Sequence, residues 1–237
     1  MQTSLRMAFS SFLSIAFILA TTLAASAQVG VPRSVSQTDV ALSFYGAFNG
    51  TTNGNGTAQS PANAAGGIVE LRHIVSPLFG FEATYSYNRA NQSYTSPSSS
   101  TAPCPTDGCS TSTGSVPANA HEFTGDWIVS LGLGNLRPFA LAGVGAIVDA
   151  PASSNVTVIS CDQTHALCTA DSSSTSTVTK PVFVYGAGLD WGLLPHLGLR
   201  AQYRGNLYKA PELLNAFSST GAFTHTAEPM LGAYFRF

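Results

Sequence analysis

The sequence predicts an all-β protein: an eight-stranded antiparallel up-and-down transmembrane β-barrel. Three observations carry this. Eight stretches of roughly 9–12 residues alternate polar and apolar side chains with a period of two, the length a tilted strand needs to cross a bilayer. The connections between them alternate long, short, long, short, long, short, long, as they do when hairpins on one side of a membrane are tight and those on the other are not. Charged residues make up only 9% of the 237, while Gly (22), Phe (14) and Tyr (8) are plentiful. A soluble domain carries about 25% charged residues.

The chain opens on an export signal. Arg6 is followed by an apolar run, Met7 to Leu23, and by the small-x-small site Ala25-Ser26-Ala27. Residues 1–27 are read as a signal peptide and 28–38 as a polar lead. The barrel then occupies 39–237.

The first strand, Asp39 to Phe48, puts Val40, Leu42, Phe44 and Phe48 on one face and Ala41, Ser43 and Tyr45 on the other. Residues 49–65 are Asn/Gly/Thr-rich and read as a long loop. The second strand, Gly67 to Val75, faces Val69, Leu71, His73 and Val75 to lipid and Glu70 and Arg72 inward. After the turn Ser76-Pro77-Leu78, the third strand, Phe79 to Arg89, sets Phe79, Phe81, Ala83, Tyr85 and Tyr87 against Gly80, Glu82, Thr84, Ser86 and Asn88. Residues 90–120, dense in Ser, Thr and Pro, read as the second long loop.

The fourth strand, His121 to Gly132, faces Phe123, Trp127, Val129 and Leu131 outward and Glu122, Thr124, Asp126 and Ser130 inward. The fifth, Arg137 to Val148, is Ala/Gly-rich and alternates weakly. Residues 149–179 form the third long loop. The sixth strand, Lys180 to Gly192, points Phe183, Tyr185, Leu189 and Trp191 out and Val184, Gly186, Gly188 and Asp190 in. The seventh, Leu197 to Tyr208, points Arg200, Gln202 and Arg204 in. In the last loop, 209–222, Pro211 to Phe217 has the composition of one helical turn.

The four cysteines fall as two local pairs inside Ser/Thr-rich loops. In an exported chain they read as the disulfides Cys104–Cys109 and Cys161–Cys168. Their spacing does not suit zinc, and no metal or cofactor is expected. The net charge of −2 gives no electrostatic case for nucleic acid.

The inward set holds both signs of charge at similar depth: Glu70, Arg72, Glu82, Asp126, Asp190, Arg200, Arg204 and Arg236, with Glu122, Gln202 and Glu228 beside them. Isolated buried charges cost several kcal/mol each, so the set is expected to pair into one polar network filling the barrel. Gly143-Val144-Gly145 and Gly186-Ala187-Gly188 sit in strands with no following helix, so they are not phosphate loops. There glycine makes room for large interior side chains.

The closing strand, Phe223 to Phe237, brings Leu231, Ala233, Phe235 and Phe237 onto one face and Glu228, Met230, Gly232, Tyr234 and Arg236 onto the other. Its end resembles the last strand of the OmpA/OmpX-like, porin-like class of small Gram-negative outer-membrane barrels, which ends in Phe with apolar residues at alternate positions. Ala233 and Pro229 depart from that pattern. The resemblance implies a cell outer membrane protein inserted by the outer-membrane assembly machinery, in contact with outer-membrane lipid and lipopolysaccharide. It also implies periplasmic termini, extracellular long loops, and an aromatic girdle of Phe79, Trp191, Phe235 and Phe237.

The function expected is a structural or surface-interaction role without catalytic chemistry and with an external ligand that the sequence does not name. A narrow porin-like channel for small solutes is the alternative, and a lipid A-modifying enzyme a more distant one. No catalytic residues stand out. His73 faces lipid, His121 and His225 lie at the rim, His165 in a loop and His196 in a turn, none with a convincing Ser partner and orienting acid.

Overall fold

A computed structural model describes residues 36–98, 110–161 and 168–237. The signal segment 1–27, the lead as far as residue 35, the Cys104–Cys109 pair and His165 lie outside the described residues.

Twelve strands form: β1 (Gln37–Asn49), β2 (Thr52–Gly54), β3 (Thr57–Pro61), β4 (Ala64–Ile74), β5 (Phe79–Ser98), β6 (Ser110–Ser130), β7 (Leu136–Pro151), β8 (Asn155–Cys161), β9 (Cys168–Ser174), β10 (Val178–Gly192), β11 (Leu197–Lys209) and β12 (Phe223–Arg236). Eight of them close a ring, β1-β4-β5-β6-β7-β10-β11-β12, in which every neighbour is antiparallel. The chain is an up-and-down barrel, and its seam is β1 against β12. Phe237 N–H donates to Thr38 O at 2.9 Å, so both ends of the barrel chain meet at the end of the short turns.

The period of two exists because the two faces of each strand meet different surroundings. The outward band is large and apolar. Phe44, Phe79, Trp127, Leu231 and Phe237 are all more than half exposed in the isolated chain. A water-soluble surface seldom carries such a band, whereas the outer wall of a membrane barrel needs one. The inward face is buried and largely polar.

Glycines stand opposite several inward polar side chains in the register: Gly143 opposite Asp126, Gly186 opposite Arg204, Gly188 opposite Gln202 and Gly232 opposite Arg200. At Gly232 a Cβ would overlap Ser43 Oγ and the Leu42 carbonyl oxygen across the seam. Gly232→Val is therefore expected to cost about 1–3 kcal/mol through overpacking. The readout is the midpoint of urea unfolding of the refolded barrel; an unchanged midpoint would contradict the close packing of the seam. The β1–β12 ladder is also interrupted at Gly46 and Ala47, opposite Pro229 and Glu228, and Pro229 has no N–H to give.

The two ends differ. At one, residues 75–78, 131–135 and 193–196 make tight turns. At the other the structure departs from the sequence reading. Residues 49–65 are not loop throughout but hold the β2–β3 hairpin, turned by Asn55-Gly56, both with positive φ (49° and 74°). Residues 90–120 are largely β: β5 and β6 run 20 and 21 residues and stay paired from Phe79↔Val129 to Ser98↔Ser110. At about 3.3 Å per residue each spans roughly 65 Å, about twice a membrane crossing. Residues 149–179 hold the β8–β9 hairpin, closed by the Cys161–Cys168 disulfide. β3 pairs with the projecting part of β5, and β8 with that of β6, so the wall continues upward as a six-stranded sheet, β2-β3-β5-β6-β8-β9. Ser and Thr dominate these strands, and polar residues on both faces hide the alternation that marks the barrel strands.

Residues 210–222 form an irregular strap across this end, not a helical turn. Pro211 offers no N–H. Leu213 N–H donates to Tyr94 Oη (3.2 Å), Asn215 N–H to Ser174 O (3.2 Å), and Ser176 N–H to Leu213 O (3.0 Å). Most of the strap's bonds thus go sideways to neighbouring hairpins; a local turn is closed by Phe217 N–H to Leu214 O at 3.1 Å. Leu213, Leu214 and Phe217 bury against Tyr94, Val116, Ala118 and Val158 in a small apolar core of their own. Tyr94 Oη donates to Pro211 O at 2.9 Å, and its ring stacks on Phe217 at 5.6 Å. Burial pushes the Tyr94 phenol above its ordinary range.

Candidate functional site

The chemistry of this chain is concentrated in the lumen, and the register explains how. Arg72 lies directly across from Glu82, Asp190 from Arg200, and Asp39 from both Arg72 and Arg236. Side chains of opposite sign on paired strands meet on the inner face.

Near the turn end the result is one connected network. Arg72 Nη2 is 2.7 Å from Glu82 Oε2, and its Nη1 crosses the lumen to Asp190 Oδ2 at 3.0 Å. Arg200 Nε reaches Asp190 Oδ1 at 2.8 Å, its Nη2 reaches Asp39 Oδ1 at 2.9 Å, and its Nη1 lies 3.6 Å from both Glu70 and Glu82. Glu70 also accepts from Ser43 Oγ (3.0 Å) and Gln202 Nε2 (2.7 Å). The Arg72 guanidinium packs over the Phe139 ring, 4.1 Å from its centroid.

Higher up, Arg204 is wholly buried. It reaches Asp126 Oδ2 and Glu122 Oε1, each at 3.3 Å, and Thr124 Oγ1 at 3.2 Å. Asn206 Nδ2 donates to the other Glu122 oxygen at 2.9 Å.

Arg236 does not join this network. It is half-buried at the turn-end mouth, its guanidinium lies 5.3 Å from the Tyr234 ring, and it makes no ion pair among the described residues. Asp39, its partner across the seam, is taken by Arg200 instead.

Three lumen residues went unread in the sequence. Asp39 shares the parity of Ser43 and Tyr45, which was the available signal. Asp149 continues the inward parity of Phe139 and Ile147 one residue beyond the predicted strand end. Phe139 was hidden by the weak alternation of its strand. That strand alternates weakly because one wall of the lumen is apolar, built from Ile128, Phe139, Leu141, Ile147, Val182, Val184 and Tyr208. The interior is therefore an ion-pair network set against a hydrophobic wall and not polar throughout.

The described histidines all lie on the outside. His121 and His225 hydrogen-bond with the hydroxyls of Tyr85 and Tyr185, each at 2.9 Å, while Glu122 and Glu228 point into the lumen on the far side of the wall. His73 has Ser36 Oγ at 3.3 Å, but its other ring nitrogen meets the Thr38 hydroxyl at 2.9 Å and not a carboxylate. Phe79, Trp191, Phe235 and Phe237 are exposed at the turn end, where Phe235 meets Phe237 edge-on at 5.3 Å and stacks on His196.

A closed eight-stranded barrel with an apolar outer wall and a charged, filled interior defines a membrane-embedded β-barrel. The chain belongs to the outer membrane protein beta-barrel domain family, whose model matches residues 15–235. It is a protein of the cell outer membrane.

Among solved structures it is similar to the outer membrane protein OprG from Pseudomonas aeruginosa, with 10% identity, 86% of this chain and 96% of that chain covered, and a TM-score of 0.51. Similarity extends to Neisserial surface protein A (11%, 86% and 98%, 0.46) and to Ail, the attachment invasion locus protein of Yersinia pestis (13%, 86% and 100%, 0.44). No curated protein matches the chain significantly.

Proposed function

We propose that this protein is a closed, non-catalytic outer-membrane barrel whose role is structural or surface-interacting, carried by the sheet and strap at its loop end. The observation that carries the reading is that the lumen is closed twice. Arg72, Arg200 and Arg204, each at most 1% exposed, tie the interior together from wall to wall, and the 210–222 strap covers the wide end. A solute pathway needs a continuous wet bore, and a catalytic site needs a cleft that substrate can enter. The Arg72, Arg200 and Arg204 guanidiniums lie behind the wall, out of reach of lipid.

In this reading the tight turns and both ends of the barrel chain face the periplasm, and the long hairpins face outward, as in bacterial barrels. The exposed phenylalanines and Trp191 form the periplasmic-side girdle in outer-membrane lipid and lipopolysaccharide, and the aromatic closing strand is what the assembly machinery engages. The projecting hairpins give a rigid, Ser/Thr-rich surface of the kind on which binding residues are carried.

Orientation is tested with an epitope inserted at the Asn55-Gly56 turn and, separately, at Gly134 in the β6–β7 turn. Antibody is expected to label intact cells carrying the first insertion, and to label the second only after the outer membrane is permeabilised. The reverse pattern would overturn the orientation.

A further inference from the structure

We propose that the loop-end half of the lumen holds one hard, oxygen-liganded divalent cation of the calcium class, bound beside Asp149 and Glu228. The charge distribution points to it. In the turn-end half, Asp39, Glu70, Glu82 and Asp190 are met by Arg72 and Arg200, with Arg137 and Arg236 at the mouth. In the loop-end half, Glu122, Asp126, Asp149 and Glu228 are all buried, and Arg204 is the one cation that pairs with any of them among the described residues. Arg204 lies opposite Glu228 in the register, yet its guanidinium crosses the lumen to Glu122 and Asp126. Lys180, two residues beyond Val178, the register partner of Asp149, makes no ion pair with it.

A second observation is independent of the charge. A cavity of about 20 Å³ lies at the loop end of the lumen, lined by Asp149, Glu228, Asn206, Tyr208, Thr226 and Asn49, among others. Three side-chain atoms of that lining are buried without a hydrogen-bond partner: Asp149 Oδ2, Glu228 Oε2 and Asn206 Oδ1. These residues are 1–3% exposed. Asn206 Oδ1 can only accept, and the two carboxyl oxygens do so when ionised, so a cation or a donor meets all three together.

The donors select among cations. Carboxylate, amide and hydroxyl oxygens are hard ligands, and calcium accepts such mixed oxygens at about 2.3–2.6 Å in irregular geometry, whereas magnesium demands a near-ideal octahedron and keeps several of its waters. No three His, Cys, Asp or Glu side chains converge on one point among the described residues. The neutral oxygens of Asn206, Thr226 and Tyr208 would therefore complete the shell around two carboxylates.

The test is equilibrium dialysis of the full barrel, refolded in a zwitterionic detergent that brings no anionic headgroup, against radioactive calcium chloride. One ion per chain is expected, with a large excess of sodium or magnesium displacing it poorly. Glu228→Gln and Asp149→Asn, which keep side-chain volume, are each expected to weaken binding at least tenfold. A heat-modifiable gel band checks that each variant has folded. Terbium is the second probe: its tyrosine-sensitised luminescence should appear in the wild type and fall in Tyr208→Phe. No calcium bound to the wild type, or binding unchanged in both folded carboxylate variants, would overturn the proposal. So would equal affinity for magnesium.

Discussion

Arg200→Ala is expected to destabilise the barrel by about 3–5 kcal/mol, the cost of leaving buried carboxylates without their cation. Arg200 ion-pairs with Asp39 and Asp190 and lies 3.6 Å from Glu70 and Glu82, with its side chain fully buried. The measurement is urea unfolding of the refolded protein in lipid vesicles. The electrostatic origin has its own signature. Because the lost interaction is with carboxylates, Arg200→Ala combined with Glu70→Gln should cost less than the two single changes added, by roughly 0.5–3 kcal/mol. Arg236→Ala, half-buried at the mouth with no ion pair among the described residues, should cost under about 1 kcal/mol. Equal losses at Arg200 and Arg236, or strict additivity with Glu70→Gln, would contradict the network.

Leu214→Ala should loosen the strap while leaving the barrel intact. Leu214 is 1% exposed and packs in the cluster with Tyr94, Val116 and Phe217. Truncating such a side chain costs about 2–5 kcal/mol. The strap can open locally, so the loss falls on that opening and not on global unfolding. Hydrogen exchange reads it directly. The Leu213 and Asn215 amides, bonded to Tyr94 and Ser174, should exchange roughly thirtyfold faster or more, which is 2 kcal/mol at 1.4 kcal/mol per tenfold. Barrel amides such as those of Arg200 and Gly232 should be unchanged. Unaltered exchange in the strap would mean that Leu214 does not hold it.

The barrel was legible in the sequence because its two environments are so unlike. Lipid outside and a charged lumen inside force a clean period of two, and Phe79 to Arg89 shows it without interruption. The loop-end sheet was much less legible. β8, β9 and the upper parts of β5 and β6 are Ser/Thr-rich on both faces, so they lack the contrast that periodicity reports. One local signal was present and strong: Asn55-Gly56 is the dipeptide of a two-residue hairpin with both φ positive. Pro211 to Phe217 misleads in the other direction, because its helix-forming residues are overridden by side bonds to Tyr94, Ser174 and Ser176. Within the lumen the guanidiniums were readable as inward positions, but their choice of partner was not. Arg72 to Asp190 and Arg204 to Glu122 are contacts across the bore, set by the closure of the ring and not by any spacing along the chain.

Planar-bilayer recording from the refolded protein tests the closed lumen most directly. The expected result is silence at moderate voltage, for the wild type and for Leu214→Ala alike, since the Arg72–Arg200 network and the Arg204 cluster still fill the bore when the strap opens. Long-lived ohmic steps from the wild type, altered in size by Arg200→Ala with the barrel still folded, would contradict it and make the protein a narrow pore.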